Sequence, residues 1–234
     1  MIILTCQNCF IYTEYTAAFV CYFTNCSLSV RYTDSMQLSV AENTLIRKDA
    51  VLAGVIQANG TIVLPPARGY YEALARAIIG QQISVKAAAK IFERFDAATA
   101  MNPEKTLDLS DEQIKTIGLS GQKARYIFDL AQHFSDDSAV FAHLGSLDDA
   151  AVILELTKIK GIGLWTAQMF LLFTLHRPDV FAPDDRGLQL AAERLYERTF
   201  TRAELTTLAE AWAPHRSTAS LHLWQSLENT PSSP

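Results

Sequence analysis

The segment Leu156–Asp185, LTKIKGIGLWTAQMFLLFTLHRPDVFAPDD, decides the fold of this chain. A short glycine-containing turn precedes a strongly apolar stretch, Leu164–Leu175, that is predicted to be helical. Glycine has no Cβ atom, so Gly161 and Gly163 are expected to take positive φ and to let the backbone approach another surface closely. The backbone N–H groups at the start of the following helix would suit a phosphate, because they lie at the positive end of the helix dipole.

The residues around this turn indicate a hairpin between two helices. Three apolar side chains, those of Leu156, Ile159 and Ile162, can pack between the flanking helices and fix the angle of the hairpin. An aspartate pair follows about twenty residues after the turn, behind a proline. A lone G-x-G pattern is weak, but this combination is specific.

These residues resemble those of a known family. The stretch LTKIKGIGLWTAQMF resembles the hairpin of the helix-hairpin-helix DNA glycosylase superfamily, and VFAPDDRGLQ resembles the segment that carries its essential aspartate. The similarity covers residues 45–228 and is strongest to the 3-methyladenine DNA glycosylase II type, in its short yeast-like form. It implies an all-α fold of two helical subdomains, with a helix-hairpin-helix motif and an active-site cleft between them.

The resemblance assigns the catalytic role to Asp185. Cleavage of a purine–sugar bond builds positive charge on the deoxyribose, and a nearby carboxylate stabilises that charge and can orient the attacking water. Asp184 is expected to cap the helix that begins near Arg186. The alternative is that both acids only start a helix, the common role of aspartate after proline.

The resemblance also predicts the reaction type. Relatives that cut the DNA backbone carry a hairpin lysine that forms a Schiff base, and Trp165 occupies that position here. Relatives with an iron–sulfur cluster carry four cysteines near the C-terminus, whereas every cysteine here precedes residue 27. A monofunctional enzyme that requires no cofactor is therefore expected. A structural Na⁺ or K⁺ could be held by the backbone carbonyls of Thr157, Ile159 and Ile162.

Aromatic residues are expected to select the damaged base. N-alkylated purines carry positive charge, a weakened glycosidic bond, or both, and an aromatic wall attracts a cationic base. Trp224, in ASLHLWQ, resembles the family's active-site tryptophan, and Trp165 and Met169 complete the predicted base pocket. Met169 and Gln225 stand where the bacterial relative has aromatic residues, so the substrate range stays open.

Several polar segments are predicted to contact DNA. The loop in IIGQQISVKAAAKI, residues 78–91, resembles the family loop that enters the duplex where the base has left, with Gln82 as the wedge. An ordinary inter-helix turn is the alternative. Backbone contacts are expected from the helix start at Gln122 and Lys123, unless these are solvated surface residues, and from Gly161, Ile162 and Gly163 of the hairpin.

Local patterns predict further helices and their caps. We expect helices from about Ala41 with Asn43 or Thr44 as the cap, over Tyr70–Ile79, over Val85–Phe95 after Ser84, and in three stretches after Asp185. Capping boxes are predicted at Ser110–Gln113 and at Ser146–Asp149. Trp212 is interpreted as a packed core residue, and His222 as either a core residue or one that supports the site from behind, rather than an acid catalyst.

Residues 1–35 differ from the rest and are treated as an atypical extension, disordered or β-like, in front of a glycosylase domain over 36–234. They hold all four cysteines and have no Lys or Arg before Arg31. The spacing of the four cysteines resembles that of a zinc ligand set, but we favour the interpretation that they are inert thiols. They are Cys6, Cys9, Cys21 and Cys26. The segment fits neither a secretory signal nor a bilayer span, and Met36 is the suspected natural start.

Composition is compatible with this interpretation. The chain has 234 residues, of which 49% are hydrophobic, and a formal net charge of −5. This acidic balance lowers the expectation of a nucleic-acid binder, but local helix N-termini and a few cations can still bind DNA.

The sequence therefore predicts a monomeric monofunctional DNA glycosylase that flips alkylated purines out of double-stranded DNA and leaves an abasic site. No association with a membrane is expected. It would act in the cytoplasm at the nucleoid of a prokaryote, or in the nucleus of a eukaryote. The alternatives are a glycosylase for another damaged base and a non-catalytic helix-hairpin-helix module that only binds DNA.

Overall fold

The computed structural model describes residues 38–64 and 66–228, and all of the secondary structure in these residues is helical. The all-α prediction is therefore confirmed for the described part of the chain. Predictions for residues 1–35, including the cysteine set, and for Met36 lie outside the described residues. No helix within the described ranges has both the length and the apolar character needed to cross a bilayer.

The chain forms two compact units, as the predicted pair of helical subdomains requires. The terminal unit comprises the described residues up to Pro66 together with 176–228. Its helices are α1 (Val40–Lys48), α2 (Ala50–Asn59), α11 (Arg186–Leu195), α12 (Arg202–Glu210) and α13 (Arg216–Glu228). Helix α13 packs against α11 and α2, over a core that includes Leu52, Ile56, Leu188 and Leu223.

The central unit comprises residues 67–175. Its helices are α3 (Tyr70–Gly80), α4 (Val85–Thr99), α5 (Pro103–Leu107), α6 (Asp111–Ile117), α7 (Gly121–Asp136), α8 (Ser138–Ala142), α9 (Asp149–Thr157) and α10 (Leu164–Phe173), with a 3₁₀ turn at Leu144–Ser146. Helix α7 packs against α3 and α5, and α9 pairs with α10 across the hairpin. The core includes Leu74, Ile78, Ile127, Leu156 and Phe170.

Side-chain caps begin most of these helices, and two of the predicted caps are confirmed. The Ser84 hydroxyl accepts the N–H of Ala87 at 3.3 Å, and Ser110 and Gln113 form a complete capping box. The predicted box at Ser146–Asp149 is wrong. Asp148 begins α9 instead, because its carboxylate accepts the N–H of Ala151 at 2.7 Å.

The predicted helix from Ala41 is two helices with a different cap. Ser39 begins α1 in a capping box with Glu42, so Asn43 and Thr44 lie inside the helix. Asp49 then separates α1 from α2, since its backbone is extended and its carboxylate accepts the N–H groups of Val51 and Leu52. The Asp49 side chain satisfies the open end of α2 and so stabilises a break that the apolar pattern does not reveal.

Candidate active site

Asp185 is the N-cap of α11 and is 3% exposed. Its Oδ1 accepts the N–H of Leu188 at 2.8 Å. The prediction that Asp184 would cap this helix is therefore wrong. Asp184 is instead exposed and pairs with Arg202, with 2.6 Å between Oδ1 and Nε. The difference has a plain physical reason: only the residue directly before the first helical turn can place its carboxylate over the turn's N–H groups.

A second donor reaches the same oxygen of Asp185. The indole N–H of Trp224, on α13, donates to Oδ1 at 3.0 Å, and the Trp224 side chain is buried. Two N–H donors converging on one carboxylate oxygen fix the orientation of the Asp185 side chain. Trp224 therefore acts on Asp185 through its nitrogen, a contact that the sequence did not suggest.

The start of α13 holds the segment that leads to Asp185. The guanidinium of Arg216 donates to both carboxylate oxygens of Asp179 at 2.8 Å, and this pairing lowers the pKa of Asp179. The Ser217 hydroxyl donates to the carbonyl of Arg177 at 2.6 Å and accepts the N–H of Val180 at 2.9 Å. Residues 177–180 are thus tied to the helix that also carries Trp224.

The predicted core histidine is fully buried in the terminal unit. His222 Nε2 lies 3.3 Å from Glu42 Oε1, and Nδ1 lies 3.3 Å from Nδ2 of Asn59. Burial alone would raise the pKa of Glu42, but hydrogen bonds from His222 and from the N–H groups of Ser39 and Ile62 lower it to about 2. This network joins α13 to α1 and α2. Trp212 is also a core residue, as predicted, and donates to Asp49.

The hairpin of the central unit has the predicted apolar anchors, because Leu156, Ile159 and Ile162 are all buried. Gly161 has φ +86°, and a Cβ atom there would lie 2.3 Å from the Tyr126 ring. Glycine is thus required at this position. Gly163, by contrast, has φ −96° and open space around it, so the predicted positive φ is wrong there. Gly163 begins α10, and no side chain caps this helix start.

The hairpin rests on α7. Asp129 accepts the backbone N–H of Lys160 at 2.8 Å and pairs with its ammonium group at 2.6 Å. Burial opposes ionisation of Asp129, but these contacts outweigh it and lower its pKa. Neither Asp129 nor Tyr126 was recognised from the sequence. Their spacing of three residues on one helix face is the only signal that could have pointed to them.

Two residues predicted to bind phosphate have partners inside the protein. The Lys123 ammonium donates to the carbonyl of Ile79, at the end of α3, with a distance of 2.6 Å. Burial lowers the pKa of this lysine. Gln122 is exposed and donates to the Tyr126 hydroxyl at 2.8 Å. A phosphate contact by either residue stays a prediction.

The predicted wedge lies at an exposed loop between α3 and α4. Gln82 has φ +58°, in the left-handed region that residues with a side chain seldom adopt. Its neighbour Gln81, for which the sequence predicted no role, donates through Nε2 to the carbonyl of Gly161 at 2.8 Å. The loop and the hairpin of the central unit are therefore in direct contact.

The remaining predicted site residues lie on or near α10. Trp165 is half-buried and Met169 is buried, and their spacing of four residues places them on one face of α10. Their role in base selection stays a prediction. Of the three carbonyls predicted to hold a monovalent cation, that of Ile159 already accepts the N–H of Ile162 at 3.1 Å. The second lone pair on this oxygen is available to coordinate a cation. The carbonyls of Thr157 and Ile162 stay predicted ligands.

A family profile described as "HhH-GPD superfamily base excision DNA repair protein" matches residues 75–215. Among curated proteins, DNA-3-methyladenine glycosylase 1 of Schizosaccharomyces pombe is 32% identical over 162 residues, which are 66% of this chain and 71% of that protein. The matched regions span 59% of the length of two bacterial relatives, from Bacillus subtilis and Escherichia coli.

Solved structures of DNA glycosylases are similar to this chain as well. A DNA-3-methyladenine glycosidase from Bacillus halodurans is similar with a TM-score of 0.75 and 34% identity, over 82% of this chain and 90% of that chain. The 3-methyladenine DNA glycosylase Mag1 of Schizosaccharomyces pombe, solved with abasic DNA, is similar with a TM-score of 0.70 and 27% identity, over 84% of this chain and 100% of that chain. The resemblance inferred from the hairpin and the Asp185 segment is confirmed.

Proposed function

Because this chain belongs to the HhH-GPD superfamily of base excision DNA repair proteins, we propose that it is a monofunctional DNA glycosylase. It removes N-alkylated purines, of the 3-methyladenine and 7-methylguanine type, from double-stranded DNA and leaves an abasic site. The names of the similar proteins support this substrate class. The protein acts as a monomer, in the nucleoid or the nucleus according to its host.

One observation carries the proposal. A buried carboxylate, Asp185, receives the N–H of Leu188 and the indole N–H of Trp224 on a single oxygen. A helix cap alone requires only the first of these donors. The second donor, from an aromatic residue on another helix, is the feature that a binding module would not need and that an anionic catalytic group uses.

The chemistry follows from the charge on that group. As the glycosidic bond breaks, positive charge grows on the deoxyribose, and an anionic Asp185 facing the sugar stabilises it. The same carboxylate orients the water that attacks the sugar carbon and accepts its proton. An alkylated purine leaves readily, so His222, which lies in the core network with Glu42, has no acid role in this scheme.

Contacts with DNA are assigned to the central unit. The exposed start of α10 at Gly163 would bind a backbone phosphate through its first-turn N–H groups. Gln82 would fill the step from which the base has been extruded. An indole face such as that of Trp165 or Trp224 would favour a cationic base over a neutral one.

The decisive experiment is Asp185→Asn. Asparagine is an equally good N-cap, so the fold and duplex binding should be retained. Release of 3-methyladenine and 7-methylguanine from methylated DNA, followed by chromatography of the freed bases, should fall at least about a hundredfold. Hypoxanthine release, measured in parallel, tests the alternative of a different lesion.

Asp184→Asn is the matched control. It makes the same chemical change one residue away, at an exposed carboxylate that pairs with Arg202, and should excise at the wild-type rate. If Asp185→Asn excises as fast as wild type, the catalytic assignment is wrong. If the wild-type protein binds duplex DNA but frees no base, it is the non-catalytic module.

A further inference from the structure

Gln81 connects two segments of the central unit that lie 80 residues apart in sequence. It follows the last helical residue of α3, where the backbone turns out of the helix with φ −54° and ψ 130°. Its half-buried side chain then reaches the hairpin and donates to the Gly161 carbonyl at 2.8 Å. The bond therefore joins the loop that carries Gln82 directly to the turn before α10.

The acceptor of this bond is held rigidly. Gly161 lies so close to the Tyr126 ring that no Cβ atom would fit, and the neighbouring N–H of Lys160 donates to Asp129. Both partners lie on α7. The direction of the Gly161 carbonyl is thus set by the helix beneath the hairpin, and Gln81 binds a fixed point.

The end of α3, just before the loop, is held by the same helix. The Lys123 ammonium, on the first turn of α7, donates to the Ile79 carbonyl just before the loop. Helix α7 therefore supports both the hairpin and the end of α3. Gln81 joins those two segments directly to each other.

The residue after Gln81 has a backbone that needs support. Gln82 has φ +58° and an exposed side chain. A left-handed conformation costs energy in any residue with a Cβ atom, and it persists where the surroundings hold it. Gln81, directly before it, is held by its bond to the Gly161 carbonyl.

We propose that Gln81 is a positioning residue that sets the distance between the wedge and the hairpin, so that Gln82 enters the duplex in register with the phosphate bound at the start of α10. This inference rests on the proposed function. Gln81 itself contacts neither the sugar nor the base, and it acts through Gln82. It therefore affects binding to DNA with a vacated base step and leaves binding to intact duplex unchanged.

The test compares two affinities of the full-length protein. One is for an undamaged duplex, and the other is for the same duplex with a single tetrahydrofuran abasic analogue. Gln81→Met keeps the length of the side chain but removes the donor. We expect its affinity for the abasic duplex to fall about tenfold, while its affinity for undamaged duplex stays within about twofold of wild type.

Gln132→Met is the matched control. It removes an exposed hydrogen bond from the Gln132 amide to Asp136, also in the central unit. This variant should retain the wild-type ratio of the two affinities. If Gln81→Met also retains that ratio, or loses both affinities to the same degree, the bond has only a structural role and the proposal is wrong.

A double-mutant cycle with Gln82→Ala tests whether Gln81 acts through Gln82. Adding Gln81→Met to Gln82→Ala should have no further effect on abasic binding, because the positioned side chain is already absent. Additive losses overturn the proposal. Failure of the proposed function is measured separately, as absence of base release by the wild-type protein. A wild-type protein that frees bases but has no preference for the abasic duplex overturns only the proposal for Gln81.

Discussion

At the scale of single residues, Asp185 shows how one carboxylate can have a local and a long-range role. Its bond to Leu188 begins α11, which is a local role that any aspartate after a proline could have. Its bond to Trp224 is a tertiary contact that adds a second N–H to the same oxygen. Neighbouring Asp184 has neither contact, although the two residues are identical in type.

Trp224→Phe tests the second role. Phenylalanine keeps an aromatic ring but removes the N–H donor, so the Asp185 carboxylate loses a fixed partner. We expect the single-turnover excision rate to fall about tenfold, with methylated duplex as the substrate. Trp212→Phe is the control, because it removes an indole donor to Asp49 at 2.9 Å. Equal excision rates in the two variants would show that the Trp224 nitrogen is irrelevant.

Gly161→Ala and Gly163→Ala form a second matched pair. At Gly161 an added methyl group meets the Tyr126 ring at 2.3 Å and φ is +86°, so we expect a loss of about 2 to 4 kcal/mol in the free energy of unfolding. At Gly163 nothing lies within 4 Å, and the change should cost no more than about 1 kcal/mol, because alanine only caps the helix less well than glycine. Urea unfolding followed by circular dichroism measures both. A tolerated alanine at Gly161 would contradict the close packing of the hairpin on α7.

At the scale of elements, α13 makes hydrogen bonds to other parts of the terminal unit from two of its faces. Trp224 donates to Asp185 from one face, and His222 joins Glu42 and Asn59 from another. The two residues are two positions apart, which on a helix places them on different sides. The helix that orients the Asp185 carboxylate is thereby fixed against α1 and α2.

Glu42→Gln tests this attachment through pH. The pKa of Glu42 is lowered from 4.5 to about 2 in the folded protein, so its contribution is complete above about pH 4.5 and is lost as the pH falls toward 2. Removing the charge should cost roughly 3 kcal/mol at neutral pH. It should also flatten the acid decline of stability, measured by urea unfolding at several pH values. Parallel pH curves for the two proteins would contradict the low pKa.

At the scale of the whole molecule, the division of the core into two units separates two groups of predicted site residues. The terminal unit contains the Asp185 carboxylate with the helices that orient it, and the central unit contains the hairpin, the loop that carries Gln82, and α7. The net charge of −5 does not favour binding to DNA. Binding is therefore expected to depend on the hairpin, on helix N-termini and on a few cations.

The reaction class is also a property of the whole chain, since any lysine could in principle form a Schiff base with the sugar. With Trp165 at the hairpin position, we expect sodium borohydride to trap no protein–DNA adduct during excision. Excision should also persist in EDTA, because no cofactor is proposed. A lysine-dependent glycosylase treated in parallel is the positive control. A trapped adduct would change the assignment to a bifunctional enzyme.

The sequence by itself determined the helices, the hairpin and the identity of the Asp185 segment, because apolar periodicity, caps and the glycine turn are local. It misplaced three caps, those now assigned to Ser39, Asp148 and Asp185, and missed the break at Asp49, because side-chain geometry rather than composition decides these positions. Only the tertiary structure brought together Gln81 and Gly161, Trp224 and Asp185, and His222 and Glu42, which lie 80, 39 and 180 residues apart. Such bonds depend on how helices pack against one another, and a single polar side chain leaves no periodic trace of its distant partner.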